Sequence, residues 1–341
     1  MNLKSSTAYV LDGGTLTSQQ MKSVVESVLA PGFAEEELGA LLTALADRGE
    51  TVDEILGAVL ALRAAMIPFE SLPEAAVDTC GTGGDGKDSF NVSTATAVVA
   101  AAAGAKVVKH GNRSVSSKCG SADLLEASGV ALELKAAQAA IVLEECGLVF
   151  LYAPAFHPAM RYVAPVRRAL GRRTLFNFVG PLVHPGKIRR QLLGISDASR
   201  LEDYASLLAS LGCERGYVVH GSHGADELTL GGDNISAAVG AAPNLNLSAA
   251  TCGLPSASDD TLIGGDVACN LQMLHDLFDG KLGPVRDVVL LNTATTLLLA
   301  GVVENLESGV ARAAEALDSG AARETLSRLV SCSQKVAGVA Q

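Results

Sequence analysis

The hydrophobic positions of this chain change rhythm near residue 73. Before it, from Thr17 onward, they recur every three or four residues, the spacing that gathers side chains on one face of an α-helix. Met21, Val24, Val25, Val28 and Leu29 form the first stripe, opened by the capping-box pair Thr17 and Gln20 and closed by Pro31-Gly32. Leu38, Leu41, Leu42 and Leu45 form the second, behind Glu35, Glu36 and Glu37, whose charges suit a helix N-terminus. Thr51 and Glu54 open a third, with Ile55, Leu56, Val59 and Leu60 inward, and Pro68 follows its end. The pattern predicts a small helical unit over residues 17–66.

After Pro73, short β-branched runs alternate with helical ones. Strands are predicted at 76–79, 106–109, 148–151, 191–195 and 216–220, with helices at 93–103, 121–128 and 136–146 between them. That alternation is the signature of an α/β fold with a mostly parallel central sheet and crossover helices. A helix-like stretch at 161–178 interrupts it and carries Arg161, Arg167, Arg168, Arg172 and Arg173; it is a candidate return to the helical unit. Beyond Gly265 the pattern is helical again, at 270–278, 284–300 and 306–317. The expected organisation is a helical domain at 1–72, joined by a returning segment near 161–185, and an α/β domain at 73–341.

Composition narrows the class. With 341 residues, 48% hydrophobic and 18% charged, the chain can bury a sizeable core. A net charge of -11 argues against a protein that grips phosphate backbones non-specifically, so no nucleic-acid partner is expected. The seven cysteines are scattered without a CxxC pair, which suggests neither a disulfide framework nor a zinc site and fits a reducing cytoplasm. Ser5, Ser6, Asp12, Gly13 and Gly14 interrupt the N-terminal region, which therefore lacks a continuous apolar leader core. The most apolar run, 288–300, is broken by Asn292 and threonines and falls short of the roughly 20 residues a bilayer span needs, so it reads as a buried helix and no membrane partner is expected.

The candidate chemistry sits where predicted strands end. Asp78-Thr79-Cys80-Gly81-Thr82-Gly83-Gly84-Asp85 runs on through Asn91-Val92-Ser93-Thr94 into an apolar helix. Glycines let the backbone approach a ligand, and free amides at a helix start favour an anion. The same loop also suits a tight turn with no ligand, and it lacks both the GKS or GKT ending of a P-loop and the GxGxxG of a dinucleotide site. A second loop, Lys109 to Ser117, packs cations and hydroxyl donors after another strand, a composition suited to a polyanion. Asp226-Glu227 follows a third. One such pair on a surface is commonplace, but beside phosphate-binding loops it becomes a magnesium candidate. His220 and His223, without a third ligand, do not make a transition-metal site.

Four blocks carry a family resemblance: DTCGTGGDGKDSFNVSTATA at 78–97, KHGNRSVSSKCGSADLLEASG at 109–129, HPAMRYVAPVRRALGRRTLFNFVGPL at 157–182 and GADELTL at 224–230. In order and spacing they resemble the anthranilate phosphoribosyltransferases, from about Thr17 to about Gly320. The resemblance implies the nucleoside phosphorylase/phosphoribosyltransferase class of fold, and a homodimer formed through the helical domains. It implies an enzyme of tryptophan biosynthesis that transfers phosphoribose from 5-phosphoribosyl 1-pyrophosphate to the amine of anthranilate, with two Mg²⁺ ions assisting. Matching positions imply that Gly81, Gly84, Asp85, Ser89, Asn91, Val92, Ser93, Thr94, Lys109, His110, Gly111, Asn112, Arg113, Ser114, Val115, Ser116, Ser117 and Ser121 contact 5-phosphoribosyl 1-pyrophosphate. Gly81, Asn112, His157 and Arg167 match anthranilate positions, with Pro158 beside the substrate path and Gly180-Pro181 at its far wall. Ser93, Asp226 and Glu227 match the metal positions, and Lys109, Asp226 and Glu227 are the expected catalytic residues.

Two positions depart from the pattern: His184 stands where the family usually has Asn, and Cys80 precedes the glycine loop at a variable position. Two other readings share the architecture. A pyrimidine nucleoside phosphorylase carries a loop resembling STGGVGD, which Asp85 and KHGNRSVSS argue against. A non-enzymatic nucleic-acid-binding relative is expected to be basic and to lose the substrate motifs, whereas this chain is acidic and keeps Asp226, Glu227 and Arg167.

Overall fold

The computed structural model describes residues 2–84, 86–114 and 117–338. It divides into two compact units, one of Met1–Pro68 with Ala153–Lys187, the other of Phe69–Tyr152 with Ile188–Gln341.

In the first unit four helices, Leu3–Leu11, Ser18–Val28, Glu35–Arg48 and Val52–Ala65, precede the returning segment. Both predicted capping boxes form, with the Thr17 and Thr51 hydroxyls accepting from the backbone amides of Gln20 and Glu54. Helix 18–28 lies tightly on helix 52–65 because Gly57 has no side chain. A Cβ there would collide with the Ser18 carbonyl oxygen and sit 2.8 Å from Met21 Cβ. Buried Glu54 pairs with Arg48 and accepts from Leu16 N at 2.9 Å, fixing the entry to helix 18–28. Helix 3–11 was not expected. Its Leu3 and Val10 are buried, but the polar residues among them hid the stripe. The returning segment is also not one helix. It comprises a four-residue helix Ala153–Phe156, a 3₁₀ turn Pro158–Tyr162, a helix Ala164–Leu170 and 3₁₀ turns at Leu175–Asn177 and Gly180–Leu182. Gly171 ends helix 164–170 at φ 58°, and Pro165 and Pro181 each sit in the first turn of their short elements.

The second unit is built on six strands: β1 (Asp78–Gly81), β2 (Val107–Gly111), β3 (Leu148–Tyr152), β4 (Arg190–Gly194), β5 (Arg215–His220) and β6 (Ile235–Gly240). β1, β4 and β5 run parallel, as do β2 and β3, whereas β6 lies antiparallel on β5. A bridge between Val77 and Val107, with Val77 N donating to Lys106 O at 2.9 Å, joins the two groups in the order β3-β2-β1-β4-β5-β6. β6 was not foreseen, because ISAAVG is short, small and largely solvent-facing and so lacks a hydrophobic alternation. Helices Val92–Ala102 and Pro284–Ala300 are buried over most of their length. Among the described residues no helix is long and apolar enough to cross a membrane. A further helix, Ala321–Ala337, ends the described chain; no expectation covered it.

Candidate functional site

The carboxyl ends of β1, β4 and β5 meet the segment that carries Asp226 and Glu227, the edge where ligands gather in such sheets. Three glycines make this close approach possible. A Cβ on Gly81 would strike Asp226 Oδ2, one on Gly194 would overlap the Asp226 carbonyl oxygen, and one on Gly221 would strike the Glu227 carbonyl oxygen. Thus each of the three strands ends in a residue, or is followed by one, whose missing side chain makes room for the carboxylate pair. Asp226 Oδ2 accepts from Gly83 N at 2.6 Å, and Glu227 Oε1 lies 3.4 Å from Ser93 N at the start of helix 92–102. Lys109 is buried beneath them, its ammonium donating to Thr79 O at 2.6 Å and Ser93 Oγ at 3.1 Å. Gly81, Ser93, Lys109, Asp226 and Glu227 therefore form one connected cluster.

Asn91 precedes that helix and is fixed from two sides. Its amide donates to Asn270 Oδ1 at 3.0 Å, and its Nδ2 to Cys119 O at 2.9 Å. Ser89 pairs with Ile263 in a lone antiparallel bridge. Val92 and Thr94 turn their side chains into the core, so only backbone groups of these two remain for a ligand.

The loop after β2 is organised by one carboxylate. Asp123 accepts from Ser114 N at 3.0 Å, Gly120 N at 2.9 Å and Arg113 Nη1 at 3.1 Å. Burial raises its pKa, but those two amides and the guanidinium outweigh it and leave the carboxyl below its ordinary value. Arg113 also grips Glu126 through both terminal nitrogens, at 2.7 and 2.8 Å, and lies over the Tyr152 ring. Its guanidinium thus faces helix Ser121–Ala127. Ser114 Oγ accepts from Ser117 N at 2.8 Å, closing the loop, and Ser121 Oγ donates to Asn112 O at 3.3 Å. A Cβ on Gly111 would press on Ser121 Oγ at 2.5 Å and Phe150 at 2.8 Å. His110 is buried in β2, and Gly84 is exposed with φ 79°. Asp85, Val115 and Ser116 lie outside the described residues.

Arg167 and His157 belong to the first unit. Arg167 is partly buried on helix 164–170, its guanidinium 5.9 Å from the centre of the Phe176 ring, and burial lowers its pKa. Burial pushes His157 down to about 4; a hydrogen bond with the Val183 backbone opposes this and neighbouring His184 adds to it. His184, fully buried, accepts from Gly186 N through Nδ1 at 3.1 Å.

His220-Gly221 was expected at this sheet edge, but four other contributors were not: Gly194, Asp123, Asn270 and Asn292. Asn292 had been noticed only as a polar break in an apolar run. Gly194 carries no signal until the segment packed on it is known.

Among the described residues no three His, Cys, Asp or Glu side chains converge as a self-sufficient metal site. The donor set nonetheless fits Mg²⁺, which takes one or two carboxylates and completes its shell with water and substrate oxygens. The glycine cradle keeps both carboxylates beside amides suited to an anion.

A helical bundle and an α/β unit of this kind are the two domains of a glycosyl transferase family. Residues 5–66 match the helical bundle domain of the glycosyl transferase family, and residues 73–323 match its a/b domain. The chain is 44% identical over 340 residues to the anthranilate phosphoribosyltransferase of Chloroflexus aurantiacus (strain ATCC 29366 / DSM 635 / J-10-fl), covering 98% of this chain and 99% of that one. The crystal structure of anthranilate phosphoribosyltransferase from Thermus thermophilus superposes with a TM-score of 0.90 at 41% identity, over 96% of this chain and 99% of that one. The enzyme from Saccharomyces cerevisiae, solved in complex with PRPP and Mg, gives 0.87 at 26% identity over 98% of both chains. This chain belongs to the anthranilate phosphoribosyltransferase family.

Proposed function

We propose that the chain transfers the phosphoribosyl group of 5-phosphoribosyl 1-pyrophosphate to the amine of anthranilate, giving N-(5-phosphoribosyl)anthranilate and pyrophosphate in tryptophan biosynthesis. The observation that carries this reading is the seating of Asp226 and Glu227 on the amides of Gly83 and Ser93, which puts metal-type ligands and anion donors at one sheet edge.

That geometry and the family match support the following residue roles. The amides of the glycine loop and helix start, with the loop 109–121, hold the phosphates. Buried Lys109 sets a positive charge beneath Ser93, where pyrophosphate gathers negative charge as its bond to the ribose C1 breaks. Asp226, Glu227 and the Ser93 hydroxyl would hold Mg²⁺, with two ions expected, and bound magnesium supplies further stabilisation of that leaving group. Arg167, with a guanidinium already partly stripped of water, takes the anthranilate carboxylate, and burial favours the neutral ring of His157. The amine then attacks C1 and sheds its proton to solvent or pyrophosphate, so orientation and charge stabilisation do most of the catalysis.

The working form is a homodimer joined through the helical unit, where Leu11, Tyr9 and Ile67 expose large apolar side chains. Sedimentation at twice the chain mass is expected. The compartment is the cytoplasm, a reading supported by the exposed free thiol of Cys269, which a reducing environment preserves.

The test of the reaction is the loss of anthranilate fluorescence on mixing purified protein, 5-phosphoribosyl 1-pyrophosphate and Mg²⁺, with mass spectrometry of the product and an EDTA control. Metal-dependent formation of phosphoribosyl anthranilate is expected; retained fluorescence with an intact donor substrate would refute the assignment.

A further inference from the structure

We infer that Asn292 is a positioning residue for the Asp226-Glu227 pair, an inference that rests on reading that pair as the metal-holding carboxylates. Asn292 lies in the middle of helix 284–300, 3% exposed, among valines and leucines. A primary amide in such surroundings is costly unless its donors and acceptor are used. Its Nδ2 donates to Leu228 O at 2.9 Å and to Val288 O at 2.9 Å, and its Oδ1 faces Leu228 N at 3.3 Å. One side chain therefore takes both backbone groups of a single residue, the service that a neighbouring strand performs in a sheet.

Leu228 has no strand neighbour to do this. It lies between β5 and β6, outside any regular element, directly after the carboxylate pair. On one side the pair's backbone packs against Gly194 and Gly221, where a Cβ would overlap it. On the other, Asn292 ties the next peptide to a buried helix. The glycines permit the close approach, and the amide fixes its register. Other polar side chains of this helix behave differently: Thr295 and Thr296 turn their hydroxyls back on Leu291 O and Asn292 O within the same helix. Groups that orient metal ligands in this way commonly change metal affinity or activity by about 10- to 100-fold when removed.

The experiment compares Asn292→Leu, which keeps the branched shape and removes all three hydrogen bonds, with Thr296→Val as a control on the same helix and with Asp226→Asn/Glu227→Gln as the reference for lost ligands. In the full-length metal-free chain, hydrogen exchange of the peptide spanning residues 225–229 should quicken in Asn292→Leu and not in Thr296→Val. Mn²⁺ binding in the presence of pyrophosphate, read by electron paramagnetic resonance, should weaken by about tenfold or more, with kcat falling while the anthranilate KM stays within about twofold. If Asn292→Leu fails to fold, Asn292→Ser is measured the same way. Wild-type Mn²⁺ binding and exchange in a folded Asn292 variant, with binding lost in the double carboxylate variant, would overturn the positioning role alone. Unchanged Mn²⁺ binding in the double carboxylate variant would overturn the metal reading and the inference with it.

Discussion

The α/β unit and the helical unit prepare their candidate groups in opposite ways. At the ends of β1, β4 and β5, charge is held in place by hydrogen bonds: Asp226 on Gly83 N, Glu227 near Ser93 N, Lys109 on Thr79 and Ser93. In the helical unit, Arg167 and His157 are conditioned by burial, which lowers the pKa of each. The first arrangement suits highly charged phosphates, whose oxygens exchange with ligands already in place. The second suits an aromatic acid, because a guanidinium already partly stripped of water has less to lose on binding a carboxylate and a flat ring.

The contrast breaks most completely at Gly194. A methyl group there overlaps the Asp226 carbonyl, so Gly194→Ala must push the carboxylate pair off its seat. Displacements of about 1 Å commonly cost about 100-fold in rate. Steady-state kinetics should show kcat falling by at least about that factor, with Mg²⁺ dependence altered; wild-type kcat would show that the cradle tolerates a Cβ. Next in size is Arg167→Ala, which removes a charged partner worth about 1.5–3 kcal/mol. It should raise the anthranilate KM by about 10- to 100-fold and leave the KM for 5-phosphoribosyl 1-pyrophosphate nearly unchanged. Equal losses for both substrates would remove the distinction between the two units.

The third effect, on stability rather than turnover, concerns His157. Its folded pKa of about 4 lies below the ordinary 6.5, so folding favours the neutral ring. Above pH 6.5 both folded and unfolded chains carry it neutral; as pH falls towards 4 the unfolded chain takes up a proton that the folded one refuses, and stability declines. At the acid end this amounts to about 3 kcal/mol. Denaturant titrations between those limits should show a shallower decline for His157→Gln than for the parent chain. Parallel curves would mean that the ring titrates normally in the folded state.

The two units also differ in how far their order could be read from the chain. Helices 18–28 and 52–65 announced themselves through apolar stripes and capping boxes, because local periodicity and local hydrogen bonds suffice to specify them. The strands that end at the site were placed within two residues, and their loops were visible as glycine, serine and carboxylate clusters. What escaped was whatever depends on a distant partner. Asn292 meets Leu228 across 64 positions, and Gly194 is required by Asp226 rather than by any turn of its own. β6 escaped for a related reason, since an edge strand of small, half-exposed residues takes its conformation from β5. Arg113 shows the limit of composition: its cationic loop suggested a polyanion, yet its guanidinium is held by Glu126 and Asp123.

The hydrogen bond from Gly83 N to Asp226 gives an amide of the glycine loop an anionic acceptor from within the chain. For a phosphate oxygen, binding there would be an exchange of one anionic acceptor for another. A neutral hydroxyl or water, a weaker acceptor than a carboxylate, gains little by displacing it, whereas a phosphate oxygen can compete on equal terms.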